Sequence, residues 1–183
     1  AAGLHWPAPD RTEDAGGIAH TYADRVVFPV SITPADPAKP VKLRLFMEYG
    51  VCKDICIPAR AELSLVLGGG ARKRPVIEEA LARVPRKRPL GAEGPLAILG
   101  AETALGEKRT LTIRVRAPAD AVLFAEGPEN WYLSTSPPHG DRFTVTVEDR
   151  PKGAHAVSLR LTLAGGGEAI ETEIHLDDSL RPR

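Results

Sequence analysis

Hydrophobic and polar residues alternate in several short segments of the chain, a pattern that predicts half-buried antiparallel strands. In the first part of the chain, the predicted strands cover residues 25–32, 41–49 and 61–67. Pro29 lies within the first of these segments and favours an edge position or a bulge there. Residues 34–40 include three prolines and are predicted to form the loop that follows.

The second part of the chain contains seven further strand segments, separated by turns that are rich in Gly, Pro and Asp. They cover residues 96–99, 110–117, 121–126, 131–135, 142–148, 155–164 and 168–176. Between the two parts, apolar residues at helical spacing predict one short helix over residues 75–84. We therefore predict an all-β chain with two immunoglobulin-like β-sandwich units and one short helix.

A glycine run at residues 68–70 is followed by a basic stretch and Pro75, which is typical of a linker. We predict a domain boundary at this point. The first domain then comprises residues 1–68, and the second immunoglobulin-like domain comprises residues 69–183.

Composition excludes some functional classes. The chain has 24 basic and 24 acidic residues and a formal net charge of zero, so it provides no field that would attract nucleic acid. No run of 18 apolar residues is present that could span a bilayer. The first residues lack the pattern of a secretory signal. If the protein is exported, this sequence is expected to be its processed form or a piece of a longer chain.

The chain has two cysteines, Cys52 and Cys56, between two predicted strands. This position predicts either a hairpin connection or a short helical turn. Disulfides usually join cysteines whose Cα atoms are about 4.4–6.8 Å apart. Extended chain would separate these two by roughly 13 Å, whereas one helical turn would bring them to about 6 Å. A bridge therefore requires a turned segment.

A bridge between such close cysteines is a weak structural staple, because closing a five-residue ring contributes only about 2 kcal/mol. The exposed connection favours a two-electron redox switch instead. Two alternatives remain open: a binding module with a purely structural disulfide, and capture of Cu(I) by the reduced thiols. The neighbouring charges are mixed, since Lys53 and Arg60 favour a thiolate and Asp54 opposes it.

Three motifs in the first 68 residues carry a resemblance to a known family. They are WPAP at residues 6–9, YADRVVFPV at residues 22–30 and VCKDICIP at residues 51–58. Together they resemble the amino-terminal periplasmic domain of the DsbD family of thiol:disulfide interchange proteins, and more closely its ScsB branch, the suppressors of copper sensitivity.

The resemblance implies a protein-disulfide reductase type of oxidoreductase that works in the periplasm without a cofactor, as the soluble part of a membrane-anchored protein. Its cysteine pair would receive electrons from the transmembrane part of the parent reductant conductor through a thioredoxin-like domain. It would pass them to periplasmic thioredoxin-fold proteins. By position, Cys56 would form the mixed disulfide with a partner, and Cys52 would resolve it.

The chain departs from the family pattern in two places. The family has a longer stretch before Trp6, so the first domain is expected to be truncated at its start. DsbD also shields its cysteines with a loop that bears adjacent aromatic residues, whereas residues 13–17 contain none. The resemblance implies that Glu13 and Asp14 lie near the thiols as orienting or proton-relay groups. Tyr49, Lys53 and Asp54 are further candidates for supporting roles. No metal site is predicted apart from the Cu(I) alternative at Cys52 and Cys56.

Overall fold

A computed structural model describes residues 1–14, 17–53, 55–68, 75–104, 109–152, 156–177, 179 and 181–182. The chain divides into two compact units. The first unit comprises Ala1–Leu4 and Val30–Pro75, and the second comprises His5–Pro29 and Val76–Arg183. The linker at residues 69–74, on which the predicted boundary depends, lies outside the described residues, so the predicted domain division stays a prediction.

The described residues form fourteen strands and one helix, α1 (Pro75–Ala82). In chain order the strands are β1 (Ala2–Leu4), β2 (Asp10–Asp14), β3 (Gly17–Thr21), β4 (Val30–Ile32), β5 (Val41–Cys52), β6 (Cys56–Leu67), β7 (Arg86–Lys87), β8 (Ala97–Ala104), β9 (Thr110–Arg116), β10 (Val122–Glu126), β11 (Tyr132–Thr135), β12 (Arg142–Asp149), β13 (Val157–Gly165) and β14 (Glu168–Leu176). Within this part of the chain, no helix has the length and apolar character needed to cross a membrane.

The first unit consists of two antiparallel ribbons, β1 with β4 and β5 with β6. Ala1 and Thr33 extend the shorter ribbon through reciprocal backbone hydrogen bonds of 2.7 and 2.8 Å. Asp36 orders the loop before β5, because its carboxylate accepts a hydrogen bond from the backbone N–H of Ala38 at 3.0 Å.

The second unit contains a β-sandwich of two four-stranded sheets, with strand orders β10-β13-β14-β7 and β11-β12-β9-β8. The long strands β13 and β14 form a continuous antiparallel pair from Val157 opposite Leu176 to Gly165 opposite Glu168. Gly166 and Gly167 make the turn with φ values of +60° and +80°, which a two-residue hairpin of this kind requires.

The core of the sandwich is formed by inward-facing residues of both sheets, as the alternating pattern predicts. Its largest fully buried side chains are Phe143, Ile98, Leu111, Ile113, Leu123, Leu159, Leu161, Leu163, Leu176, Val145 and Thr172. Thr172 is the polar exception, and its hydroxyl has no hydrogen-bond partner among the described residues.

The segment His5–Pro29 packs within the second unit through a polar hairpin, β2 with β3, and a cluster of aromatic rings. The ring of His20 on β3 contacts the ring of Phe124 on β10 edge-on, with centroids 4.8 Å apart. Phe28 packs against Trp6 at 4.9 Å and against Tyr22 at 5.3 Å. Aromatic contacts thus hold a segment whose strands are short and mostly exposed.

The predicted fold class is confirmed: the structure is all-β, immunoglobulin-like in architecture, with one short helix. Strand β14 has the predicted bounds, and α1 ends two residues before the predicted end at residue 84. The predicted strand over residues 25–32 is wrong except for Val30–Ile32. Pro29 has no N–H for a strand ladder and is buried, while its carbonyl accepts a hydrogen bond from His5.

The structure contains four short strands that the sequence pattern did not predict, namely β1, β2, β3 and β7. Strands β1, β3 and β7 are too short to show a detectable alternation of apolar and polar residues, and β2 consists mostly of charged residues. The weakest predicted strand, at residues 96–99, proves to be the start of the longer strand β8.

The contact between His20 and Phe124 yields a prediction about pH. Partial desolvation first, and then the positive charge of Arg11, lower the pKa of His20, while Glu126 acts in the opposite direction. We expect an NMR titration of His20 to give a midpoint below the usual value of about 6.5. Arg11→Gln should raise that midpoint.

The lowered pKa has a defined consequence for stability. A histidine that is harder to protonate in the folded state contributes stability above its unfolded pKa, and this contribution is lost as pH falls through the folded pKa. His20→Phe keeps an aromatic ring against Phe124, so its thermal unfolding should depend less on pH between about 7 and 5. An unchanged pH dependence would contradict this assignment.

Candidate functional site

The two cysteines lie at the closed end of the ribbon formed by β5 and β6. These strands pair continuously from Val41 opposite Leu67 to Cys52 opposite Cys56. The cysteines are therefore the last residue of β5 and the first residue of β6, and only residues 53–55 separate the strands. Of the two conformations that the sequence left open, the structure shows the hairpin.

Strict alternation along both strands gives this ribbon one apolar face and one mixed face. The apolar face is formed by Val41, Leu43, Leu45, Met47, Tyr49, Val51, Ile57, Ala59, Ala61, Leu63, Leu65 and Leu67. The cysteines lie on the mixed face, together with the charged residues of both strands. The register of the ribbon thus decides which neighbours the sulfur atoms have.

Cys52 and Cys56 form a disulfide, with an S–S distance of 2.08 Å and a Cα–Cα distance of 4.0 Å. In an antiparallel pair, opposing residues that share no hydrogen bonds have Cα atoms about 4.5 Å apart, against about 5.5 Å for hydrogen-bonded pairs. The short Cα distance therefore places the cysteines at a non-hydrogen-bonded position.

Two neighbouring features agree with this assignment. The backbone N–H of Lys53 donates a hydrogen bond to the carbonyl of Ile55 at 3.2 Å. The pair adjacent to the cysteines, Lys53 with Ile55, is therefore the hydrogen-bonded one. On the other side, Pro58 lies two residues from Cys56 and has the same parity, and it has no N–H to donate. Non-hydrogen-bonded pairs bring side chains closest, which suits a cross-strand bridge.

The site is exposed to solvent. Both cysteines belong to the exposed class of residues. Around them the apolar side chains of Val51, Ile55 and Ile57 are 58%, 72% and 59% exposed. Within the first unit, the bridge is therefore accessible to a sulfur atom of another protein.

Charged side chains on the cysteine face are paired with each other at some distance from the bridge. Arg60 binds Glu48 at 2.9 Å, and Arg44 binds Glu62 at 2.7 Å. Arg60 was predicted to favour a thiolate, but Glu48 compensates its charge, which weakens that effect. Lys53 lies in the exposed turn, and Asp54 falls outside the described residues.

The remaining predicted site residues do not belong to the cysteine-bearing face of the ribbon. Tyr49 belongs to the apolar face of the ribbon, opposite Ala59, and not to the face that carries the cysteines. Glu13 and Asp14 end strand β2 in the second unit, where Glu13 accepts a salt bridge from Arg11 at 2.9 Å. Their predicted roles beside the thiols stay predictions.

Sequence reasoning missed two residues of the site, Gly50 and Pro58. They face each other one step along the cysteine face from the bridge. Both residue types commonly mark turns, so the predicted strands ended at residue 49 and began again at residue 61. The signal that could have placed them in strands is the apolar alternation, which continues through Val51 and Ile57.

In the described part of the chain, no group of three or more His, Cys, Asp or Glu side chains is placed to hold a metal ion. Capture of Cu(I) by the two reduced thiols stays a prediction.

Residues 1–68 match the family described as thiol:disulfide interchange protein DsbD, N-terminal. The chain is also similar in structure to the N-terminal periplasmic domain of ScsB from Proteus mirabilis, with a TM-score of 0.69 and 20% sequence identity. That match covers 97% of this chain and 73% of the ScsB chain. No curated protein matches the sequence significantly.

These matches confirm the resemblance found in the sequence. The family match supports a thiol:disulfide interchange module in the first part of the chain, and it includes both bridged cysteines. The structural match supports the fold over nearly the whole chain.

The bridge should stabilise its ribbon by about 2 kcal/mol, the loop-closure value for a five-residue ring. We expect reduction to speed hydrogen exchange of β5 and β6 amides by roughly thirtyfold, with little effect on the sandwich core. Mass-resolved exchange on the oxidised and reduced protein measures this difference. Uniform acceleration in both units would contradict it, and Cys52→Ser provides the matched control.

Proposed function

We propose that this protein is a periplasmic thiol:disulfide exchange module that passes reducing equivalents to thioredoxin-fold proteins. The observation that carries the proposal is the exposed Cys52–Cys56 bridge at a hairpin end, within residues that match the DsbD N-terminal family. The periplasmic location is supported by the relative from Proteus mirabilis, a periplasmic domain, and by the persistence of disulfides in that compartment.

The reaction needs only the two sulfur atoms of the pair. In the reduced protein, the Cys56 thiolate attacks a partner disulfide, forms a mixed disulfide and releases one partner thiolate. The Cys52 thiolate then attacks the Cys56 sulfur, releases the second partner thiolate and closes the bridge. Two electrons pass to the partner, and a thioredoxin-like domain of the parent membrane reductant conductor supplies the next pair.

The ribbon geometry suits this cycle. Cys52 and Cys56 point to the same face from directly opposite positions, with Cα atoms 4.0 Å apart. Beyond the bridge, eleven further pairs continue the register, from Val51 opposite Ile57 to Val41 opposite Leu67. The resolving thiolate therefore stays within reach of the mixed disulfide without a large backbone movement.

A trapping experiment tests the proposal. Cys52→Ala leaves the attacking thiol but removes the resolving one, so reaction with an oxidised thioredoxin-fold protein should yield a stable disulfide-linked pair. Cys56→Ala is the matched control and should yield much less of it. Non-reducing electrophoresis and mass spectrometry measure the product.

Two results would count against the scheme. If only Cys56→Ala traps the partner, the roles of the two cysteines are reversed. If neither variant forms a mixed disulfide, the exchange function itself is wrong.

The reduction potential distinguishes exchange from a purely structural bridge. An exchange module should equilibrate with glutathione or thioredoxin buffers and have a potential above about −300 mV, because structural disulfides lie below that value. Titration in redox buffers, with the two thiols quantified by alkylation, gives the potential. A value well below this limit would favour a binding module with a structural disulfide.

A further inference from the structure

Gly50 occupies a position where the fold itself does not require glycine. It lies in the interior of strand β5, and its φ is outside the left-handed region that favours glycine. Among the described residues other than its chain neighbours, a Cβ built on Gly50 would meet only one atom within 4 Å, the sulfur of Cys52 at 3.8 Å, which is ordinary van der Waals contact. Neither backbone strain nor internal packing explains the residue.

Glycine in a strand interior has a cost, since it adds backbone entropy to the unfolded chain and packs no side chain. It commonly marks a place where another backbone approaches closely. The built Cβ shows that a side chain at position 50 would stand beside the Cys52 sulfur, on the face that carries the bridge. Glycine at this position therefore leaves room for the backbone of another chain to approach the disulfide.

The residue opposite Gly50 also leaves space beside the bridge. Its cross-strand partner is Pro58, whose compact ring offers neither a long side chain nor a backbone N–H. The next pair on this face is Glu48 with Arg60, and these two side chains bind each other. The pair next to the bridge, Gly50 with Pro58, therefore carries no charge and no long side chain.

We propose that Gly50 is a specificity-determining residue that admits the backbone of a protein thiol partner to the Cys52–Cys56 bridge. The inference rests on the proposed function. A protein that brings a cysteine to the bridge also brings the chain on either side of that cysteine, which must fit over the neighbouring pair. A small thiol carries no such chain and does not need this space.

In the oxidised protein, the reaction concerned is reduction of the bridge by a partner dithiol. A partner thiolate attacks one sulfur of the bridge and the other sulfur leaves as a thiolate. The second partner thiolate then attacks the mixed disulfide and leaves the partner oxidised. Two electrons and the accompanying protons pass to Cys52 and Cys56, and Gly50 affects only the approach of the partner.

The test compares two reductants of different size on the oxidised protein. Gly50→Leu should slow reduction by a reduced thioredoxin-fold protein at least about tenfold, and should slow reduction by dithiothreitol less than about threefold. Gly50→Ala and Gly50→Val should give graded intermediate losses with the protein reductant. Stopped-flow fluorescence or quenched alkylation measures the rates.

Ser64→Leu is the matched control, because Ser64 is exposed on the same face of the ribbon, opposite Arg44 and far from the bridge. It should leave both rates unchanged. Folding should not limit the experiment, since leucine is better tolerated in a strand than glycine. The equilibrium with glutathione should be the same in all variants.

Three results would overturn the inference. One is an unchanged rate of Gly50→Leu with the protein reductant. Another is equal slowing with both reductants, which would mean that the side chain acts on the bridge itself and not on partner size. Failure of the unmodified protein to react with any thioredoxin-fold dithiol would overturn the proposed function, and this inference with it.

Discussion

The cross-strand register of β5 and β6 is the constraint on which the site depends. Side chains alternate between faces with a period of two, so a slip of one residue would move Cys56 to the face opposite Cys52. The same slip would mix apolar and charged residues on both faces. The continuous pairing from Val41 opposite Leu67 to Cys52 opposite Cys56 therefore sets the positions of the two sulfur atoms, which lie on the mixed face beside the turn.

Where apolar residues alternate over a long segment, the sequence was sufficient to predict structure. Strands β12, β13 and β14 each bury a regular row of side chains in the sandwich core, and their predicted positions are correct to within about two residues. The hairpin β2–β3 carried no such signal. Its residues are held by local pairing and by the contact of His20 with Phe124, and this contact involves a distant part of the chain.

The site could be predicted in its chemistry but not in its geometry. Spacing of the two cysteines is compatible with one helical turn and with a cross-strand pair, and local sequence does not separate these conformations. Gly50 and Pro58 looked like the ends of strands, whereas they oppose each other within the ribbon. Tertiary pairing overrides local turn propensity here, because the backbone of a non-hydrogen-bonded position tolerates proline without losing a bond to the opposite strand.

The bridge also closes the hairpin covalently around its turn. Only residues 53–55 lie inside the ring, and Lys53 among them is exposed. A protease that cuts after Lys53 would leave the two halves of the chain joined through sulfur while the pair is oxidised. The same cut would free them from covalent connection once the pair is reduced, so fragment mass after limited digestion reports the redox state of the molecule.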